Sequence, residues 1–415
     1  MFIIKLPAGL EVSKVLIYLS AIAGYVGVIF LLWMYVLGAK SVMRIFFKDL
    51  APVLSIHKSL GKWGSIAFLL HPVLVAIGYF DLSVHALTFV AVPDISSAME
   101  RHVTLGRIAF YLILLVWASS KLVRKQIGFR AWKYLHYFAY VSLPFALLHI
   151  PNLGSQYEDS NLVKMYFWDI VGLFALFAVV RLVGWLNLDR KTYTIKSHTR
   201  LTSQDYMLVL VPRSKNWLRP EIGQYVYLKQ GIISEDHPFS LTYYDRATGE
   251  LTVTYRVFGS FTKYLTTLKP DKKVSVMGPF GAFTEDLQTD NSQPVVYLAD
   301  GVGITPFAQR VVDENNQRTQ LLFAANRTHE SAVLVPFLKQ ILGERLIAIY
   351  SHEAPVDQTE EQGHINEQML MKYLGSPQQY KYYVCGPQPF VDECKRILKV
   401  IDVPEEQVHE EQFSW

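Results

Sequence analysis

The chain has 415 residues, of which 51% are hydrophobic, and a formal net charge of +4. It is too apolar for an ordinary soluble protein and too long for a single domain, and so small a charge excludes a nucleic-acid surface as its main business. Only Cys385 and Cys394 occur, which excludes a disulfide framework and a four-cysteine metal or iron–sulfur site.

Apolar runs long enough to cross a bilayer recur before about residue 187. Five spans are predicted, at 15–37, 52–80, 103–120, 131–151 and 164–186. The first is long and lacks a small-residue cleavage pattern, so it reads as a span and not as a signal peptide. Basic residues set the orientation. Lys40, Arg44, Lys48 and Lys58 fall between spans one and two, Lys121, Arg124, Lys125, Arg130 and Lys133 between three and four, and Arg190 and Lys191 after five. Those segments are expected on the cytoplasmic side, with the N-terminus outside and everything after the fifth span inside. The expectation is a multi-pass protein of the plasma membrane, in contact with lipid.

His57 and His71 lie in the second span and His136 and His149 in the fourth. Ionisable groups at membrane depth are rare and usually functional. At about 1.5 Å of rise per helical residue, steps of fourteen and thirteen residues cover roughly 21 and 20 Å, so each helix offers one imidazole near each membrane face. Two such helices side by side suit two stacked bis-histidine haems, with His57 and His136 as the inner pair and His71 and His149 as the outer. The plainer reading, histidines hydrogen-bonded to neighbouring helices, is weakened by the matching of the pairs. At about 100° per residue, fourteen residues return to nearly the same face while thirteen leave His149 roughly 140° from His136. Pro144 between them is expected to kink the helix and re-aim His149. His85 and His102, in or beside an outer loop, read as solvated. Trp63, Phe68, Phe138 and Phe145 lie between the ligand levels, where porphyrin packing and ordinary core filling explain them equally.

From about 191 to 288 short alternating strands, TYTIKSH, YMLVLVP, GQYVYLK and LTVTYRVF, predict a small antiparallel barrel. From 289 to 415 the strands PVVYLAD, TQLLFAA, RLIAIYS and YKYYVCG alternate with helical stretches, as in a parallel nucleotide-binding sheet. The expected fold is thus an all-α transmembrane helical bundle over 1–190, an antiparallel β-barrel and an α/β parallel-sheet domain. The Gly301-Val302-Gly303-Ile304-Thr305-Pro306 loop follows the first of those strands, where glycines let backbone N–H groups approach a pyrophosphate at a helix start.

These residues resemble the membrane flavocytochromes that include the NADPH oxidases and ferric reductases, whose cytoplasmic half is similar to ferredoxin-NADP reductase. The resemblance covers nearly the whole chain. It rests on His57/His71 with His136/His149, on His237-Pro238-Phe239-Ser240, on Gly278-Pro279-Phe280-Gly281, on the glycine loop at 301 and on Cys385-Gly386-Pro387. The resemblance implies that His237, Pro238, Phe239 and Ser240 lie along an FAD, with Pro238 and Phe239 shaping the flavin pocket and Ser240 near the reactive ring nitrogen. Arg256 and the Gly259-Ser260-Phe261-Thr262 turn would hold the FAD pyrophosphate, since an arginine and free helix N–H groups both favour phosphate. Gly301, Gly303, Thr305 and Pro306 would receive the nicotinamide nucleotide's pyrophosphate, and Cys385, Gly386 and Pro387 would flank the nicotinamide beside the flavin. Arg327 matches the place where family members contact the adenosine ribose, and its charge favours NADPH over NADH. The ending Glu-Gln-Phe-Ser-Trp resembles one in which an aromatic covers the flavin; Phe413 fits better than Trp415.

The chain also departs from the family. Five spans are predicted where six are usual, and Asp300 stands where a small residue is common. Ser142 occupies a position where oxidases often place an aromatic between the haems, and Val75 a position that holds a second histidine in superoxide-forming members. With no arginine in span one, these differences argue against oxygen as the acceptor. The cofactors implied are FAD, two b-type haems and NADPH, and the expected activity is transfer of electrons from NADPH outward to oxygen, giving superoxide, or to a ferric chelate. Donation to quinone or a partner protein, and a non-catalytic membrane binding or transport role, are the rival readings. A protein partner is compatible with the sequence and not required by it.

Overall fold

The structure is a computed structural model that describes residues 11–80, 84–153, 157–158, 160–231, 234–288, 293–314 and 319–412. Two compact units emerge, Met1–Met43 with Leu50–Leu182, and Arg44–Asp49 with Val183–Trp415. The chain begins with α1 (Val12–Leu37), α2 (Lys40–Phe46), α3 (Ala51–Phe80), α4 (Val84–Ala91), α5 (Ala98–Lys121), α6 (Phe129–His136), α7 (Phe138–Leu153) and α8 (Asn161–Trp185).

In the first unit α1 lies along α3 and α5 along α7. The bundle core is formed by Val28, Leu31, Leu32 and Tyr35 of α1, Phe68 of α3, Ala109 and Ile113 of α5, and Leu143, Ala146 and Leu147 of α7. Small residues let the helices approach, since there is little hydrophobic drive between helices in lipid and close packing must hold them. A Cβ on Gly27 would stand 3.2 Å from the Phe68 backbone and ring. On the outside, Trp33, Leu70, Leu115 and Leu176 are exposed, as suits a surface solvated by acyl chains.

Among the described residues four helices are long and apolar enough to span a membrane: Val12–Leu37, Ala51–Tyr79, Ala98–Lys121 and Asn161–Trp185. The span predicted at 131–151 is instead two shorter helices, α6 and α7, separated at Tyr137. There the hydrogen-bond ladder tightens, the Tyr140 N–H donating to Tyr137 O at 3.0 Å, three residues back instead of four. Pro144 does not end the helix; α7 runs through it. The interruption between His136 and His149 lies at Tyr137, seven residues before Pro144, the residue expected to kink this stretch.

In the second unit β1 (Lys191–Arg200), β2 (Asp205–Pro212), β3 (Tyr225–Lys229), β4 (His237–Tyr244), β5 (Leu251–Arg256) and β6 (Lys273–Phe280) close an antiparallel barrel in the order β1-β2-β5-β4-β3-β6. Alternate residues point inward, so Tyr193 and Ile195, Leu208 and Leu210, Val226 and Leu228, and Val274 and Val276 fill it. The helix α9 (Ser260–Leu265) follows β5.

The second half of this unit is a parallel sheet of β7 (Val295–Asp300), β8 (Gln320–Asn326), β9 (Leu346–Tyr350), β10 (Glu360–Gln362), β11 (Lys381–Gly386) and β12 (Val408–Gln412), ordered β10-β9-β8-β7-β11-β12. Its helices are α10 (Thr305–Asp313), α11 (Val335–Leu342), α12 (Glu367–Leu374) and α13 (Gln388–Val400). Residues from α10 and α11 pack on one face, and residues from α12 and α13 on the other. The four strands expected from sequence are β7, β8, β9 and β11; β10 and β12 extend the sheet at its two edges. The chain leaves β7 in one direction toward β8 and later returns to its other side as β11. That switch of direction opens a crevice at the carboxyl ends of β7 and β11, the usual ligand position in such sheets.

Candidate functional site

Two histidine pairs meet in the first unit. The rings of His57 and His136 have centroids 6.2 Å apart, and those of His71 and His149 6.3 Å apart. A metal–imidazole bond of about 2 Å, with about 1.1 Å from that nitrogen to the ring centre on each side, calls for roughly 6 Å between centroids. Both pairs fit a metal ligated from opposite sides. No group of three or more His, Cys, Asp or Glu suited to a caged metal ion occurs among the described residues. Two opposed imidazoles suit a planar macrocycle that supplies the other four ligands.

The surroundings of one pair repeat across two helices. Nδ1 of His71 donates to Ser20 O at 2.8 Å, and Nδ1 of His149 donates to His102 O at 2.9 Å. Four residues after each carbonyl stands a glycine: a Cβ on Gly24 would lie 3.0 Å from His71 Nδ1, and one on Gly106 2.6 Å from His149 Nδ1. Each glycine lets a helix backbone lie flat against an imidazole while the preceding turn's carbonyl holds Nδ1 and leaves Nε2 uncommitted, the arrangement a metal-binding imidazole would need. Nδ1 of His136 is buried without a hydrogen-bond partner. Ser142 is fully buried and donates to Ala139 O at 3.0 Å, so it serves its own helix. Phe68, three residues before His71, is 9% exposed.

In the second unit the predicted flavin segments converge. His237, which opens β4, stacks on Phe261 of the Gly259-Ser260-Phe261-Thr262 turn at 3.9 Å and 10°. Phe239 turns into the barrel core, edge-on to Tyr255 at 5.7 Å, while Pro238 is exposed on the opposite strand face and Ser240 lies buried there. Gly259 has φ +84°, a conformation that an L side chain rarely adopts. Thr262 Oγ1 donates to Phe258 O at 2.8 Å and accepts from Phe258 N at 2.7 Å, locking the turn that leads through Ser260 into α9.

Arg256 is held by Asp205, which sequence reading did not single out. Nε and Nη2 of Arg256 donate to the two Asp205 carboxylate oxygens at 2.8 and 2.9 Å, and Nη2 also donates to Ser331 O at 3.2 Å. The Asp205 side chain is fully buried and that of Arg256 is 31% exposed. A Cβ on Gly301 would stand 3.4 Å from Arg256 Nη1, so the guanidinium reaches from the barrel to the glycine loop.

The glycine loop and the Cys-Gly-Pro segment lie side by side, because β7 and β11 pair with Ala299 opposite Cys385. A Cβ on Gly303 would come within 2.2 Å of Cys385 O, so no other residue fits there. Thr305 is buried, its hydroxyl donating to Val302 O at 2.9 Å, and Pro306 occupies the first turn of α10. Asp300 lies on the sheet face of Val296 and Leu298; burial raises its carboxyl pKa against the lowering effects of Arg256, Arg327 and His364. Arg327 is exposed beyond β8, and its carbonyl accepts from His352 N at 3.0 Å. Cys385 is fully buried, which pushes its thiol pKa well up, with Glu411 adding to the effect. Gly386 is buried, and Pro387 is exposed at the start of α13.

Glu411 is a second group missed in the sequence. β12 runs parallel to β11 with Glu411 opposite Cys385. Burial raises the Glu411 carboxyl to about 8, Asp49 contributing in the same sense. Its Oε2 is buried with no hydrogen-bond partner. The motif that drew attention to this ending was aromatic; Phe413 and Trp415 lie outside the described residues.

Comparison with known proteins bears on both halves. The family described as "Ferric reductase like transmembrane component" matches residues 23–147, and the "Oxidoreductase NAD-binding domain" family matches 297–396. A flavohemoprotein of Halalkalibacterium halodurans is 30% identical over 152 residues, 34% of this chain and 36% of that protein. The chain thus spans little more than a third of that relative. NADH-cytochrome b5 reductase 1 of Aspergillus oryzae is 28% identical over 273 residues, 58% of this chain and 92% of that protein. The crystal structure of flavohemoglobin from Malassezia yamatoensis, with bound FAD and heme, aligns with a TM-score of 0.50 and 18% identity over 86% of this chain and 97% of its own, a likeness of fold. The chain thus joins, in one multi-pass membrane protein, a stretch matching a ferric-reductase-like transmembrane component to a reductase half that matches an oxidoreductase NAD-binding domain, an order of parts similar to that of the ferric reductase and NADPH oxidase flavocytochromes.

Proposed function

We propose that the protein takes reducing equivalents from NADPH on the cytoplasmic side and delivers them through FAD and two b-type haems to an acceptor outside, a ferric chelate or molecular oxygen. The observation that carries this reading is the pair of matched histidine separations, 6.2 and 6.3 Å, in the same chain as a reductase. When bound, FAD accepts electrons in twos and releases them singly, and haem iron takes them one at a time. The protein supplies position. His57 with His136 would hold the inner haem and His71 with His149 the outer, in the orientation the basic loops favour. His237, Ser240 and the Gly259–Thr262 turn offer a flavin surface, with Arg256 directed by Asp205 toward phosphate. Gly301, beside the Arg256 guanidinium, would receive a pyrophosphate, and Gly303 lets that loop close against Cys385 and Gly386. The buried thiol stays protonated, so Cys385 acts by shape and as a weak donor and not as a nucleophile. Arg327, exposed beyond β8, supports a preference for the 2′-phosphate of NADPH.

The deciding experiment uses purified, FAD- and haem-loaded protein. NADPH or NADH is supplied, and superoxide-dismutase-sensitive signal in air is compared with ferric chelate reduction without oxygen. Val75 and the absence of arginine from α1 favour the ferric acceptor. NADPH oxidation that yields neither product would turn the reading toward quinone or a protein acceptor. Absence of a b-type Soret band would remove the haem reading and restore a binding or transport role.

A further inference from the structure

Arg181 lies four residues before the end of α8, a candidate membrane span, and its guanidinium reaches residues of α1 and α7. Its carbon sits 4.5 Å from the ring centre of Tyr35 and 4.3 Å from that of Tyr140. Nη2 donates to Tyr35 O at 2.6 Å and Nη1 to the Tyr140 hydroxyl at 3.1 Å. Gly38 makes room for it: a Cβ there would stand 2.5 Å from Nη2. Nε is buried with no hydrogen-bond partner, and no carboxylate lies in ion-pair range among the described residues. A full charge at this depth with two neutral partners is costly, and such charges in membranes are paired or functional.

The place of this charge identifies its counter-ion. Tyr140, which holds Nη1, follows His136 by four residues, and its ring stacks at 5.6 Å on that of Tyr137, the neighbour of His136. The anions that a b-type haem brings to such a spot are the propionate carboxylates on its edge. Building on the two-haem reading above, we propose that Arg181 is the binding site for a propionate of the haem held by His57 and His136. Its fixed charge raises the reduction potential of that haem relative to its partner, because a nearby cation favours the reduced, less positive centre.

The test is a redox titration of the full-length protein, loaded with haem, following the two haem components optically. Arg181→Gln is expected to shift one component to lower potential and leave the other in place, with two haems per chain retained. Arg181→Lys, which keeps the charge, is expected to restore most of the shift. Loading with haem whose propionates are methyl esters is expected to abolish the difference between the unaltered protein and Arg181→Gln. Tyr140→Phe, a milder change, is expected to give a smaller shift of the same component. The proposal is overturned if Arg181→Gln moves neither component or both alike, or if Arg181→Lys shifts as far as Arg181→Gln, which marks a packing role. It is also overturned if the difference persists with the ester, which assigns the charge to another anion such as a lipid phosphate. Unaltered protein that takes up no bis-histidine haem would defeat the two-haem reading itself, separately recognisable because no component then titrates.

Discussion

Glu411 binds its proton more tightly in the folded protein than in the unfolded chain, since burial lifts it from 4.5 to about 8. Between those values the native state holds the extra proton, so stability falls as pH rises through that window. Thermal unfolding midpoints are expected to drop from pH 5 to pH 9 in the unaltered protein, and to drop less in Glu411→Gln. An equal slope in both would show that this carboxyl does not set it. At Asp205 the argument is pairing. Its buried carboxylate accepts two short bonds from Arg256 and one from the Thr202 hydroxyl, and removing one partner of such an ion pair costs about 3 kcal/mol. Asp205→Ala should therefore lower the unfolding temperature and weaken FAD retention, measured as flavin released on desalting. At Arg327 one phosphate contact is at stake. Loss of a charge-assisted hydrogen bond corresponds to about ten-fold or more, so Arg327→Ala should reduce kcat/KM for NADPH by that factor and leave NADH unchanged. A similar loss for both nucleotides would place Arg327 elsewhere than at the 2′-phosphate.

Helices and strands carry the next level of consequence. Because Gly106 and Gly24 lie against the imidazoles of His149 and His71, a branched side chain at either must displace a ligand ring. Gly106→Val is expected to halve the haem-to-protein ratio, sparing the His57/His136 pair; an unchanged ratio would mean the ring has other room. The histidine pairs themselves were legible in the sequence, because a histidine in an apolar run stands out and the matched spacings bring the rings together two by two. Their supports were not. A glycine or a main-chain carbonyl on α1 and α5 carries no mark in one dimension, and its use depends on which helices pack together. The same holds for Asp205 and Glu411: each is one carboxylate among many until strand pairing sets it beside Arg256 or Cys385. The barrel and sheet were read from strand period and from the glycine loop, while β10 and β12, short edge strands with polar residues, showed no such pattern. The interruption at Tyr137 escaped because no proline or glycine marks it.

For the whole molecule, the two compact units divide the chemistry, with nucleotide and flavin segments in one and both histidine pairs in the other. Damage to the histidine pairs is therefore expected to leave the first stage intact. His71→Ala or His149→Ala should retain NADPH-driven reduction of a soluble dye by the flavin while losing delivery to an outer acceptor. Loss of both activities together would mean that the histidines hold up the fold and not a cofactor. The ring planes supply a further distinction. Those of His71 and His149 stand at 82° to each other, those of His57 and His136 at 58°. Two imidazoles bound across one iron compete for the same orbitals when parallel and for different ones when crossed. On a bound iron the crossed pair would leave those orbitals nearly equal in energy, and the other pair would split them further. One polypeptide would thus carry two haems of identical ligand type that are told apart by magnetic resonance, the more anisotropic low-spin signal belonging to the pair anchored on Ser20 and His102.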